Sequence, residues 1–467
     1  MALSVAMLAV LWHLLACVES PMAFSPDGKT LALTVMDSSH GKLGSGDAVF
    51  RLMVISGREK LVVLEETSEK MLSAPTYTPD GKSLAYVRIP LPTKEQIDAI
   101  VQASKEGDEA RDAQVAKLMA LLQPKQKAAS SPVTREAATA ATAASASSAK
   151  LARQELPPIN SMIDLVRNYY AGPEWPCEIV LRDAQSFEIR KVIPFRMHAL
   201  SYTNKPLEGM ATAYIFTQPQ FSPNGGKIYI ASGAEVVAVD LPGGETTLVA
   251  APATLSILSP DGKTLAAVGE KYIAISHLDG DLTVWKHIPD AEALWSIAWM
   301  DNKTLGVVRK SGTGYALIGI GRDGRETVQI ALPEDEKEIY SVARAKAGNM
   351  ALTAGGKISL LDAKGKTVAK IPEITGQRGK LIVSNPTWSD DSKTLAVKLV
   401  EKGDKEEATV AVAFFDAAGK PIGRVAIPQA KRPASQPADV QPGRKGAAGS
   451  GKHLPGASAP STSQADE

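Results

Sequence analysis

One segment of the chain has the residue types of a phosphate-binding loop, residues 446–453 (Gly-Ala-Ala-Gly-Ser-Gly-Lys-His). Such a loop binds phosphate when it joins a strand to a helix and carries a Ser or Thr hydroxyl for magnesium. Here His453 replaces the hydroxyl, and Leu454-Pro455-Gly456 follows where the helix would have to begin. We therefore interpret the segment as low-complexity sequence and expect no nucleotide site and no cofactor.

Other residues that could do chemistry do not form a catalytic set. The six histidines show no paired spacing typical of a metal site, so we expect no metal. A Gly-x-Ser-x-Gly nucleophile motif is also missing from the sequence. His40 lies in a long polar segment with Asp37 and Lys42, and these three residues are the candidates for ligand binding there.

The strands that would position these residues are indicated by a turn motif that recurs along the sequence. It reads Ser-Pro-Asp-Gly-Lys at residues 25–29 and 259–263, with close variants at 78–82 and 222–226. Pro fixes φ in a tight turn, Asp accepts backbone hydrogen bonds, and Gly supplies the positive φ that closes it. Degenerate copies follow at residues 300–304, 345–349 and 389–393, which makes seven copies in all.

A second turn signal, usually a Gly between two further apolar runs, follows each of the later copies of the repeated turn. These glycines are Gly243, Gly280, Gly324, Gly365 and Gly419, separated by 37, 44, 41 and 54 residues. Each unit therefore predicts four antiparallel strands, which is the period of a propeller blade. The sequence predicts an all-β propeller of seven four-stranded blades, each Pro-Asp-Gly turn joining the innermost strand to the next.

The Ser-Pro-Asp-Gly-Lys turns resemble the WD40-like (PD40) repeats in the propeller domain of TolB and its relatives. The resemblance covers about residues 20–428 and implies the fold. The α/β domain that precedes the propeller in TolB has no counterpart in this sequence, so the Tol-system role is not carried over. No Trp-Asp dipeptide ends a blade, which separates these repeats from true WD40 repeats.

Residues 1–17 are interpreted as a signal or lipoprotein-type segment. The first 16 residues contain no Lys, Arg, Asp or Glu and end in Leu14-Leu15-Ala16 before Cys17. This ending resembles the lipobox of bacterial lipoproteins, in which the Cys is lipidated. We expect export to the periplasm or the cell envelope with a lipid anchor at Cys17. The alternative is an ordinary signal sequence or membrane anchor with an incidental Cys.

The propeller is expected over residues 18–428, with an insertion in blade 2 at about residues 90–175. Helical spacing of apolar residues in the first part of that insertion predicts a helix. Its end carries an aromatic cluster, Tyr169, Tyr170 and Trp175, which suits a binding surface. Residues 429–467 are dominated by Pro, Ala, Gly, Ser and charge, and are expected to be disordered.

The sequence favours a non-catalytic, exported scaffold that binds a protein or glycan partner through one face over blades 7, 1 and 2. The net charge is +1, so no nucleic-acid partner is expected. Two alternatives stay open: a propeller-class lyase or hydrolase with a site on one face, and the sensor domain of a larger envelope protein. Ring closure is expected to use little or no strand exchange between the termini.

Overall fold

A computed structural model of the chain describes residues 21–37, 49–91, 171–200 and 218–429, the last range with short gaps. The gaps lie at residues 233–234, 251–252, 254, 269–271, 279–282, 288–296, 312–313, 333–340, 355, 377–378 and 403–406. Within these ranges the chain forms β-strands joined by turns, and no helix there has the length and apolarity to cross a membrane. The expected helical insertion, signal segment and tail lie outside the described residues.

The strands form seven antiparallel sheets in chain order, which confirms the predicted seven-bladed propeller. Blade 1 contains β1 (Ala23–Phe24), β2 (Thr30–Asp37), β3 (Val49–Ser56) and β4 (Lys60–Thr67). Blade 2 contains β5 (Lys70–Leu72), β6 (Thr76–Tyr77), β7 (Ser83–Pro90), β8 (Ala171–Asp183) and β9 (Ile189–Leu200). Blade 3 contains β10 (Gln220–Phe221), β11 (Lys227–Ala231), β12 (Val236–Asp240) and β13 (Thr246–Ala250).

The remaining four blades repeat this order. Blade 4 contains β14 (Leu255–Leu258), β15 (Thr264–Val268), β16 (Tyr272–His277) and β17 (Thr283–His287). Blade 5 contains β18 (Ile297–Trp299), β19 (Thr304–Ser311), β20 (Gly314–Gly321) and β21 (Glu326–Ala331). Blade 6 contains β22 (Ser341–Arg344), β23 (Met350–Ala354), β24 (Lys357–Leu361) and β25 (Thr367–Ile371). Blade 7 contains β26 (Thr375–Gly376), β27 (Gly379–Trp388), β28 (Thr394–Lys402), β29 (Glu407–Asp416) and β30 (Pro421–Ala426).

Two boundaries and one turn glycine differ from the sequence prediction. Strand β8 begins at Ala171, so the interruption of blade 2 ends before residue 175. Blade 7 begins earlier than predicted because the short strand β26 pairs with β27. In blade 3 the glycine with positive φ is Gly244, at +78°, and not Gly243.

The first strands of the blades line the centre of the ring; in blade 7 we count β27 as the first strand, since β26 is a short additional strand, and in blade 2 the first strand is divided into β5 and β6. Strands β14, β18, β22 and β27 contact one another in succession, β27 contacts β1, and β1 contacts β6. Two glutamines join neighbouring first strands: the Gln218 amide donates to the Pro75 carbonyl at 3.0 Å, and the Gln220 amide donates to the Ser256 carbonyl at 3.2 Å. These side-chain amides therefore donate hydrogen bonds to backbone carbonyls at the inner edges of the sheets, next to the central axis.

The apolar core is divided among the interfaces between neighbouring blades. The blade 1–2 interface, for example, buries Phe50 and Leu52 against Leu84 and Val180. The blade 7–1 interface buries Leu31 and Met53 against Val412 and Phe414. Each sheet is apolar on both faces because it packs against a blade on either side, which explains the long buried runs in second and third strands.

The ring closes between blades 7 and 1 without a strand crossing from one to the other among the described residues. Apolar packing is not the only interaction that holds this seam. The buried Lys398 ammonium donates to the Thr34 carbonyl at 3.0 Å, and the Arg51 guanidinium donates to the Pro428 carbonyl. Arg58 also donates to the Thr394 hydroxyl at 3.1 Å. Hydrogen bonds to the backbone therefore take the place of an exchanged strand.

Candidate functional site

Asp37, the first of the residues proposed for ligand binding, ends strand β2 and is buried. Its carboxylate lies 3.7 Å from the Arg51 guanidinium, and both side chains are only 3% exposed. Arg51 in turn donates to the Pro428 carbonyl of blade 7. The structure therefore places Asp37 in the packing of the ring seam. His40 and Lys42 lie outside the described residues.

Trp175 is also buried, on strand β8 of blade 2. Its indole N–H donates to the Pro90 carbonyl at 2.9 Å, and its ring belongs to the core between blades 1, 2 and 3. An interior hydrogen-bonded indole holds β8 against the end of β7, so an exposed aromatic cluster that includes Trp175 has no support from the structure. Tyr169, Tyr170 and Cys17 lie outside the described residues.

The antiparallel order of the strands gives the ring two distinct faces. The turn face carries the turns between first and second strands and those between third and fourth strands. The loop face carries the connections between second and third strands and the links between blades. On the loop face the strands are joined by five connections of nine or more residues, between residues 37 and 49, 90 and 171, 200 and 220, 287 and 297, and 331 and 341, and a shorter connection runs between residues 402 and 407.

The turn face is built from the repeated Ser-Pro-Asp-Gly turn. In blade 1 the Ser25 hydroxyl donates to Asp27 at 2.6 Å, and the Lys29 amide donates to the same carboxylate at 3.1 Å. The Ser25 hydroxyl, and then the Lys29 amide and ammonium, lower the pKa of Asp27. Asp80 and Asp391 show the same arrangement and the same direction of shift. These carboxylates are turn components, as the repeat pattern predicts.

Turns of adjacent blades also contact each other. The Arg322 guanidinium of blade 5 donates to both oxygens of Asp261 in blade 4, at 3.0 and 2.7 Å. Burial alone would raise the pKa of Asp261, but hydrogen bonds from Ser259, the Lys263 amide and Arg322 outweigh it and lower the pKa to about 2. A turn carboxylate therefore also ties one blade to the next.

Three charged side chains and a tyrosine contact one another in the outer half of the blade 1–2 interface. We call this group the blade 1–2 cluster, comprising Glu65, Tyr86, Arg88 and Arg182. Glu65 lies on β4, the outermost strand of blade 1, and the other three lie on β7 and β8 of blade 2. Arg88 holds the Glu65 carboxylate through Nε at 2.7 Å and Nη2 at 2.8 Å, and Arg182 Nη2 holds it at 3.0 Å.

Tyr86 completes the blade 1–2 cluster. Its hydroxyl donates to Glu65 and accepts a hydrogen bond from Arg182 Nε at 3.1 Å. Burial, reinforced by Glu65, raises the pKa of Tyr86 to about 12. Burial opposes ionisation of Glu65, yet the donors Arg88, Tyr86 and Arg182 prevail and lower its pKa. Because the Tyr86 side chain is fully buried, no substrate can reach its hydroxyl.

The described residues contain no group of three or more His, Cys, Asp or Glu side chains that could hold a metal ion. An open groove of about 610 Å³ lies on the turn face of blade 3, lined by Asn224, Gly226, Lys227, Asp240, Pro242, Gly243 and Glu245. Its Lys227 and Asp240 side chains lie 3.6 Å apart and pair with each other. Cys177 is buried, and burial raises the pKa of its thiol to about 12, so it is not a reactive nucleophile.

Comparison with known proteins adds little to this geometry. No protein-family model matches the chain, and no curated protein matches it. Among solved structures, the chain is similar to the dihydro-heme d1 dehydrogenase NirN, with 13% identity over 88% of this chain and 67% of that one and a TM-score of 0.42. It is also similar to a protein of unknown function from Bacteroides caccae, with 15% identity over 55% and 92% and a TM-score of 0.37. A eukaryotic initiation factor shows 9% identity over 88% of both chains and a TM-score of 0.37. These similarities are too distant to support a function.

The blade 1–2 cluster was missed in the sequence. Arg182 and Glu65 are separated by 117 positions, and the two blades that carry them come together only through the ring. The sequence does contain one relevant pattern: Tyr86 and Arg88 are two positions apart on β7, so their side chains lie on the same face of the sheet. The pattern predicts the cluster only once this face is known to pack against β4.

Proposed function

We propose that this protein is a non-catalytic propeller scaffold, exported to the bacterial cell envelope, that binds a protein or glycan partner through its loop face over blades 7, 1 and 2. One observation carries the proposal: the three longest connections, between residues 37 and 49, 90 and 171, and 200 and 220, all start and end on the loop face. Two of them interrupt blades 1 and 2, and the third leaves blade 2 for blade 3. A shorter connection, between residues 402 and 407, interrupts blade 7, which is the neighbour of blade 1 in the closed ring. Loops held by a rigid framework are where binding residues concentrate.

The framework beneath these connections supports this role. The strands that carry them are anchored by buried groups, including the Asp37–Arg51 ion pair and the Lys398–Thr34 hydrogen bond. The His198 amide also donates to the Glu235 carboxylate at 2.8 Å and ties the end of β9 to blade 3. Anchored strand ends fix where each connection leaves the ring, so the connections act from defined positions.

The charged residues of the blade 1–2 cluster do not favour the enzyme alternative. They lie in the outer half of the interface, on β4, β7 and β8, and not at the mouth of the central channel. Their donors and acceptors are directed at one another, and their central Tyr86 is buried. This arrangement suits a structural contact between blades.

Removing residues 92–170 is the direct test of the proposed binding face. A flexible linker of about ten Gly and Ser residues would rejoin Leu91 to Ala171 and keep the buried Trp175. We expect this variant to keep the thermal stability of the ring and to lose most capture of the partner from envelope extracts. Capture is measured by affinity purification and quantitative mass spectrometry against the full chain.

The matched control changes the opposite face. Lys29→Glu with Lys82→Glu alters two turn-face side chains that are 81% and 74% exposed, and capture is expected to be unchanged. Wild-type capture by the 92–170 deletion, or equal loss in both variants, would contradict the assignment of binding to the loop face.

The proposal includes a lipid anchor at Cys17 and membership of the TolB-like (PD40) repeat class, which the Ser-Pro-Asp-Gly turns support. Cys17→Ala is expected to abolish incorporation of labelled fatty acid and to move the protein from the membrane to the soluble envelope fraction. The control is Cys177→Ala, which changes the buried second cysteine and should leave labelling intact. Unchanged labelling in Cys17→Ala would rule out the anchor.

A further inference from the structure

Blade 2 presents four hydrogen-bond donors to a single carboxylate. Arg88 approaches side-on, with Nε at 2.7 Å from Oε1 of Glu65 and Nη2 at 2.8 Å from Oε2. Arg182 Nη2 and the Tyr86 hydroxyl both donate to Oε2. Side-on pairing with a guanidinium is the geometry that distinguishes planar carboxylates from other anions.

These donors are held in place by blade 2 itself. Arg182 Nη1 donates to the Phe187 carbonyl at 2.9 Å, and Arg182 Nε donates to the Tyr86 hydroxyl at 3.1 Å. Arg88 Nη1 lies 3.8 Å from the Glu178 carboxylate, which also pairs with Lys70 at 3.1 Å. Removal of Glu65 would therefore leave the donors close to their present positions.

Burial and charge then favour binding of an anion at that position. The Arg182 and Arg88 side chains are only 10% and 16% exposed, so water screens their charge weakly. Without Glu65, three cations, Lys70, Arg88 and Arg182, would face one carboxylate, that of Glu178. The group that Glu65→Ala deletes beyond Cβ has the size and charge of acetate.

We propose that Tyr86, Arg88 and Arg182 form a carboxylate-binding site on blade 2, which Glu65 of blade 1 occupies in the native chain and which small carboxylates bind once Glu65 is shortened. The site links two blades of the ring, because the carboxylate that occupies it belongs to the neighbouring blade. In the native chain Glu65 is tethered beside its donors at high effective concentration, so a free carboxylate cannot displace it.

Chemical rescue of Glu65→Ala tests the site. The melting temperature of Glu65→Ala is measured in 100 mM sodium acetate and in sodium chloride of equal ionic strength at neutral pH. We expect acetate to raise the melting temperature by about 2–4 °C over chloride, since a ligand of the folded state stabilises it by mass action. The wild-type protein should differ by less than about 1 °C between the two salts.

Two further variants separate the site from a general salt effect. Glu65→Gln fills the same volume and should show no acetate-specific shift, and Glu65→Ala with Arg182→Met should lose the shift because a donor is gone. An equal response of folded Glu65→Ala to acetate and chloride would overturn the proposal. If Glu65→Ala does not fold in chloride, refolding from urea becomes the readout. Recovery only in acetate supports the site, and recovery in neither salt overturns it.

Discussion

Replacing Arg51 by Ala is expected to lower the free energy of unfolding by about 3–5 kcal/mol, the usual consequence of removing one partner from a buried ion pair. Arg51 and Asp37 are each 3% exposed, and Arg51 also donates to the Pro428 carbonyl. Burial lowers the pKa of Arg51, and the carboxylates of Asp37 and Glu66 counter that effect. Removing the guanidinium takes a charge partner from Asp37 and a donor from the last residues of the ring.

Urea denaturation of Arg51→Ala and wild type gives the comparison. Arg325→Ala is the matched control, because Arg325 is 86% exposed beside Asp323 and its loss should cost less than about 1 kcal/mol. Amide hydrogen exchange should also increase in β29 and β30, where the seam would open first. A change within 1 kcal/mol of wild type, or exchange raised equally in all blades, would show that Arg51 does not hold the seam.

The architecture was predictable because its signal is local. A Ser-Pro-Asp-Gly turn needs only its own residues: the Ser259 hydroxyl donates to Asp261 at 2.6 Å, and Gly262 adopts φ of +67°. Even the degenerate turn of blade 7 keeps the form, with Ser392 at φ of +60° in the place of glycine. Each copy of the turn therefore predicts its own blade, so seven blades are predicted even where a single copy has lost part of the motif.

The residues at the blade interfaces were not predictable in the same way, since their roles depend on distant parts of the chain. Asp37 ends a strand before a polar segment, and nothing local indicates that it pairs with Arg51, which in turn donates to the Pro428 carbonyl. Trp175 lies beside two other aromatic residues in sequence, yet the Pro90 carbonyl that binds it is 85 positions away. Lys398 did carry a signal, because a lysine within an otherwise apolar strand must have a buried acceptor.

A second large loss of stability is expected from a substitution on the turn face, where the turns of neighbouring blades contact each other. A Cβ placed on Gly262 would lie 1.9 Å from Cγ of Pro223 and 2.3 Å from its Cδ. Gly262→Ala therefore meets a rigid ring in the preceding blade, and Ala must also adopt positive φ. Conformational strain of about 1–2 kcal/mol and overpacking of about 1–3 kcal/mol together predict a loss of about 2–5 kcal/mol in unfolding free energy.

Gly57→Ala separates these two contributions, because Gly57 has a similar φ of +63° and nothing within 4 Å of its Cβ position. It should lose only the conformational part, about 1–2 kcal/mol. Adding Pro223→Ala to Gly262→Ala removes the ring that the new methyl group meets. The coupling between the two substitutions should then be favourable by at least about 1 kcal/mol in a double-mutant cycle. Equal losses for Gly262→Ala and Gly57→Ala, with no coupling to Pro223, would mean that the turn of blade 3 does not crowd position 262.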